Sequence, residues 1–115
     1  MIQEGQIVLF KFPLVDKPTA QLRPALVIRK LRGPYNDWLI CMVTSQLAQQ
    51  VVDFDEIVDH KAKDWKQSGL KMPSVIRISR LAVVHESSLL GSIGAIESRR
   101  LDKIKRNLAD WLVSK

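Results

Sequence analysis

The 115-residue sequence is poor in the residues that most enzymes and secreted scaffolds depend on: it has one cysteine and two histidines, and aromatic residues make up 6% of it. A lone thiol forms no intramolecular disulfide. Cys41 lies inside the apolar run Trp38-Leu39-Ile40-Cys41-Met42-Val43 and reads as a small buried hydrophobe. His60 and His85 are separated in the chain, so they form no recognisable zinc-ligand pair with Cys41, and spacing assigns neither as its general base. No apolar stretch reaches the roughly 18 residues of a membrane-spanning helix. The start, MIQEGQIVLF, has no basic segment leading into an apolar run and a cleavage site, so a cytoplasmic protein away from the membrane is expected. Motifs of the forms GxxxxGK[ST], GxGxxG, HExxH, GxSxG and CxxC are missing, which disfavours nucleotide- and metal-dependent enzymes; no cofactor and no metal are expected. Five glycines and five prolines occur as isolated punctuation, without a linker, repeat or low-complexity tract. One domain spanning 1–115 is the simplest organisation.

What the chain does have is an ordinary globular balance, 46% hydrophobic and 26% charged, with a strongly basic surplus. Eighteen Lys and Arg against 12 Asp and Glu give a net charge of +6, which favours polyanions without choosing between nucleic acid and an acidic protein. Residues 6–12, bounded by Gly5 and Pro13, read as a strand. The near-continuous apolar runs at 24–29 and 38–43 read as strands covered on both faces, with a turn-rich segment at 32–37 between them. Residues 51–58 form a weaker edge-strand candidate, and 60–72 a loop or short helix. Residues 74–78 and 81–85 read as one bent strand or two short ones, after which Gly91 and Gly94 punctuate the chain. In 97–113, Leu101, Ile104, Leu108, Trp111 and Leu112 recur at helical spacing, an amphipathic C-terminal helix with a largely basic opposite face. Several short strands and one helix make a mainly β, α+β protein: a small curved antiparallel sheet or SH3-like barrel with the helix packed across it.

Polar residues gather at the ends of these apolar strands, where they can converge on one rim. Arg23 precedes Pro24 and is extended; it reads as a surface charge or as a phosphate ligand. Thr44, Ser45 and Gln46 read as a polar strand exit whose hydroxyls bond nearby backbone. Arg77 interrupts Val75, Ile76 and Ile78, where a charge needs solvent or a partner. His85 reads as a strand-end histidine, Trp65 as a loop residue capping the core or a base-stacking platform, and Trp38 and Trp111 as core or dimer-seam residues. The basic face of the helix reads as solvated surface or as a nucleic-acid stripe.

Taken together, EGQIVLFKFP at 4–13, RPALVI at 23–28, VTSQ at 43–46 and PSVIR at 73–77, followed by Ser88-Leu89-Leu90 and Ile93-Gly94, resemble the PemK/MazF family of toxins from bacterial toxin–antitoxin systems. The blocks run in family order over most of the chain. The resemblance implies an SH3-like barrel, usually a homodimer, that cuts single-stranded RNA without a metal: the ribose 2′-hydroxyl attacks the adjacent phosphate and leaves a 2′,3′-cyclic phosphate and a 5′-hydroxyl. It implies a cognate antitoxin as partner. Mapped onto this sequence, the family's catalytic positions fall on Arg23 and Thr44, with Arg77 facing the phosphate. Ser45, Gln46, Lys17 and Ser79 are then expected to contact RNA. Some members carry an Arg-x-Asp pair in the later strand, which here is Arg77 and Ser79, without the acid. The 14–21 loop, which in some relatives holds a histidine or glutamate, offers Asp16 as a candidate base. Two other functions fit the same barrel: a non-catalytic module binding RNA or an antitoxin, and a poison of a protein target such as DNA gyrase.

Overall fold

The computed structural model describes residues 1–12 and 21–115. Strands β1 (Gln6–Phe12), β2 (Gln21–Lys30) and β3 (Asp37–Thr44) follow in order, then a single 3-10 turn at Leu47–Gln49, the short strand β4 (Glu56–Val58) and a one-turn helix α1 (Trp65–Ser68). Strand β5 (Ser74–His85), a second 3-10 turn at Glu86–Ser88, β6 (Leu89–Ala95) and helix α2 (Ser98–Val113) complete the chain. The strands form one antiparallel sheet in the order β4-β5-β3-β2-β1-β6. It is curved but not closed, since β4 and β6 are its edges.

The two apolar runs behave as double-sided strands. Ile7, Leu26, Ile28, Cys41, Val43, Ile76 and Ile78 point to one face, where Leu101, Ile104 and Leu108 of α2 cover them. Fully burying one such aliphatic side chain stabilises the fold by roughly 1.5–3 kcal/mol, so this stripe fixes the helix to the sheet. Val8, Phe10, Ala25, Val27, Ile40 and Met42 alternate with the first set and form a second core on the opposite face, with Trp38 and Leu89. The apolar stripe of α2 outruns the sheet: Trp111 and Leu112 are exposed, so Trp111 lies outside the core and meets Phe54 at a ring-centroid distance of 6.1 Å.

Two expectations need correction. Only Glu56–Val58 of the 51–58 segment is a strand, because 51–55 turn back on themselves through Phe54 N–H and Asp55 N–H bonds to the Val51 carbonyl. The Gly91 and Gly94 stretch is strand β6, paired with β1 through register shifts. Gly94 is there for close packing: a Cβ on it would lie 2.3 Å from the Gln67 carbonyl oxygen, and one on Gly69 would lie 2.0 Å from that of Ile93. Backbone-to-backbone contact thus lets α1 lean on edge strand β6. Residues 74–85 are one strand, bent where the register against β3 jumps from Leu81 to Arg77.

Basic side chains of α2 are mostly engaged in ion pairs. Arg100 forms a forked pair with Asp64, which is 0% exposed: Nε donates to Oδ2 at 2.8 Å and Nη2 to Oδ1 at 3.1 Å. Arg100 Nη1 donates to Glu56 Oε1 at 3.0 Å and to the Ile57 carbonyl at 3.1 Å. Lys103 reaches Glu56 and Lys105 reaches Glu4. Burial pushes the Asp64 carboxyl up, but the Arg100 hydrogen bonds, the Glu97 N–H and the Arg100 charge outweigh it and hold the group below the usual carboxylate range.

Candidate active site

The site is built by register. Ala25 pairs with Met42, and Met42 in turn with Arg77, while Thr44 pairs with Val75. Side chains alternate along a strand, so Ala25, Met42 and Arg77 share a face, and so do Arg23 and Thr44, two residues farther along their strands. This is the face opposite α2. The second core ends here, and its apolar row of Phe10, Ala25 and Met42 gives way to Arg23 on β2, Thr44 at the end of β3 and Arg77 on β5.

These three line one open groove of about 400 Å³, together with Gln46, Gln49 and Arg80. Arg23 and Arg80 are exposed and Arg77 is half-buried. Arg77 is held from two sides: Nη1 donates to Gln49 Oε1 at 3.1 Å and Nη2 to Ser79 Oγ at 3.5 Å. Its Nε is buried and finds no hydrogen-bond partner among the described residues. Thr44 Oγ1 accepts the Gln46 N–H at 3.1 Å, the local hydroxyl-to-backbone bond expected at a strand exit; the hydroxyl keeps its own proton to donate. A second hollow, of about 540 Å³, shares Arg23, Val43 and Thr44 with the first and continues over Ser45 to an apolar wall of Leu22, Leu70, Met72 and Ile93. A cationic groove and an apolar hollow therefore meet at Arg23 and Thr44.

A family model for the PemK-like, MazF-like toxins of type II toxin–antitoxin systems matches residues 3–112. The chain belongs to that family. No curated protein matches the toxin's sequence. Among solved structures, the toxin is similar to a chain described as an endoribonuclease in complex with its cognate antitoxin from Mycobacterial species. The two share 14% identity over 97% of this chain and 95% of that one, with a TM-score of 0.65, a likeness of fold.

Of the expected site residues, Arg23, Thr44, Gln46 and Arg77 come together in the groove, and Ser45 lies in the adjoining hollow. Ser79 lies outside both lining sets and touches the site through Arg77. Asp16 and Lys17 fall outside the described residues. Other side chains keep plain structural tasks. His85 Nδ1 accepts the Ser87 N–H at 3.1 Å and so caps the second 3-10 turn. Trp65, on α1 rather than in a loop, packs against the core and stacks on His60 at 4.4 Å between centroids. Burial pushes the Cys41 thiol far up, and the negative field of Asp55 adds to it, so the toxin's one cysteine is no nucleophile. Among the described residues, no group of three or more His, Cys, Asp and Glu side chains is placed to hold a metal ion, and no helix is long and apolar enough to cross a membrane.

No sequence motif marks Asp55. It is 4% exposed, and its carboxylate accepts the Ser79 N–H at 3.0 Å through Oδ1, and the Ser79 hydroxyl at 3.0 Å and the Val51 N–H at 2.9 Å through Oδ2. An acid does stand next to the Arg77-x-Ser79 segment, delivered from 24 residues upstream. Gln49 was equally hidden. Neither adjoins a motif in the chain; the return of the 51–55 turn onto β5 brings them there.

Proposed function

We propose that this toxin is a metal-independent endoribonuclease that cuts single-stranded RNA within the Arg23, Thr44 and Arg77 groove and so inhibits translation and growth. The observation that carries the reading is the convergence of two arginines and a hydroxyl from three neighbouring strands on one open face. Cleavage of RNA by its own 2′-hydroxyl needs little more than such a face. The 2′-oxygen forms a bond to phosphorus and gives up its proton to solvent, the bond from phosphorus to the 5′-oxygen breaks, and that oxygen takes up a proton. A 2′,3′-cyclic phosphate and a 5′-hydroxyl result. Charge grows on the non-bridging oxygens in between. The Arg23 and Arg77 guanidinium cations stabilise that charge. Thr44 orients the attacking hydroxyl. Beside them, the wall of Leu22, Leu70 and Met72 suits the face of an unpaired base. Ser45 and Gln46 touch the strand in this reading as it crosses from one hollow to the other.

The net charge of +6 suits RNA, and equally an acidic, flexible antitoxin segment laid across the same groove. We place the toxin in the cytoplasm, as a homodimer of one-domain subunits. The test is to incubate wild type and Arg23→Ala with a long single-stranded RNA in EDTA and to map the product ends. Cyclic-phosphate and 5′-hydroxyl ends from wild type, with a loss of at least about 100-fold in the variant, are expected for removal of a transition-state donor. Folded wild-type protein that binds RNA and never cuts it would leave a binding module in its place.

A further inference from the structure

We infer that Asp55, acting through Ser79, is a positioning residue for Arg77, and that the pair sets the direction in which the Arg77 guanidinium faces the groove. The inference rests on the nuclease reading for its consequence in catalysis, while its geometry stands apart from that reading.

Asp55 is buried, yet among the described residues no Lys, Arg or His nitrogen lies within ion-pair distance of it. A buried carboxylate is expensive unless donors satisfy it, and here two of its three donors belong to one residue, Ser79. The reason lies in β5. Between Arg77, opposite Met42, and Leu81, opposite Cys41, three residues of β5 have no counterpart on β3. The Ser79 N–H sits in that bulge, and Asp55 Oδ1 supplies its acceptor. Oδ2 then takes the hydroxyl proton of the same serine. A hydroxyl has one proton and two lone pairs, so once that proton is committed to Asp55 the oxygen can only accept from elsewhere. What it meets is Arg77 Nη2, at 3.5 Å, while Gln49 accepts from Nη1 on the other side. Without Asp55 the Ser79 hydroxyl is free to turn its proton towards Arg77, and a donor then faces a donor. The carboxylate fixes the polarity of the contact, and the contact fixes one edge of the guanidinium.

The test uses the full chain with Ser79→Ala, Ser79→Thr, Asp55→Asn and the Asp55→Asn/Ser79→Ala double variant. On RNA, Ser79→Ala should lower kcat by about 10- to 100-fold, the scale of a misaimed catalytic group, with a much smaller change in KM. Ser79→Thr, which keeps the hydroxyl, should recover most of that loss. The double variant should be no worse than the poorer single one, since both act on one contact. A Ser79→Ala enzyme with wild-type kcat, or a Ser79→Thr enzyme no better than Ser79→Ala, overturns the inference. Should Asp55→Asn fail to fold, the Ala and Thr pair at the exposed Ser79 still decides. Should wild type not cut RNA, the nuclease reading fails by itself, and the inference is decided by NMR of the Arg77 guanidinium, assigned with Arg77→Lys. Rotation about the guanidinium bonds that is slow in wild type and fast in Ser79→Ala upholds it, and equal rates overturn it.

Discussion

Arg100→Leu tests the clamp that holds the site's outer wall in place. In the folded protein Arg100 ties Asp64, just ahead of α1, and Glu56 and Ile57, on β4, to the helix that covers the core. The clamped stretch begins beside Asp55 and runs on to the Leu70 and Met72 wall. Removing the guanidinium strips the side chain of Asp64 of its two hydrogen bonds from Arg100 and leaves a carboxylate buried without a cation, a change that costs about 3–5 kcal/mol. For a domain of this size roughly 4 °C of midpoint accompanies each kcal/mol, so thermal unfolding should fall by roughly 12–20 °C. Urea unfolding followed by circular dichroism gives the free energy, and the slope with urea confirms that the same surface is exposed. Lys103→Ala is the control: Lys103 is 64% exposed in its pair with Glu56, and its loss should cost less than about 1 kcal/mol. Acid sharpens the test. Because the folded Asp64 carboxyl is held below its unfolded value of about 3.9, wild type keeps this stabilisation above that pH and loses it as pH falls through the folded value. In Arg100→Leu burial acts on Asp64 against backbone N–H donors alone, without the Arg100 hydrogen bonds or charge, so the carboxyl rises and acid relieves the variant. The gap between the two proteins must therefore narrow on acidification. Replacing both partners, with Asp64→Leu added, should recover part of the loss. A deficit below about 1 kcal/mol at pH 7, or one as large at pH 3 as at pH 7, would refute the reasoning.

Two further outcomes follow from the same geometry. Cys41 should resist a thiol-specific reagent such as Ellman's in native buffer at pH 8 and react fully in denaturant, since its thiol is buried and its ionisation suppressed; fast native labelling would show that the sheet opens readily. Binding of a 2′-O-methyl RNA, which has no attacking hydroxyl, should weaken with salt, and Arg77→Gln should make the logarithmic slope shallower by about 0.7, one phosphate contact on a single strand; an unchanged slope would place Arg77 off the RNA path.

The strands with the strongest apolar runs, β1, β2 and β3, were legible because burial on both faces leaves an uninterrupted run, and α2 because one buried stripe repeats at helical spacing. Strand β6 was hidden by its two glycines. They read as punctuation, yet Gly94 is there because the α1 backbone comes too close for a Cβ. The 51–55 segment misled for the opposite reason: its valines and phenylalanine look like a strand, while their hydrogen bonds go to a local turn. The site divides in the same way. Thr44 ends β3, and Arg23 and Arg77 lie on β2 and β5, strands whose register the apolar runs dictate, so their meeting follows from pattern. Asp55 and Gln49 reach the site through a turn and a bulge, which carry no period, and a single residue added or lost between Gln46 and Asp55 would move both. The acid that the sequence lacks after Arg77 is thus present in the fold but separated from the arginine by Ser79. In the proposed nuclease that displacement leaves the acid acting on a serine, and it makes the aim of Arg77, rather than proton transfer, the quantity by which Asp55 and Ser79 should be judged.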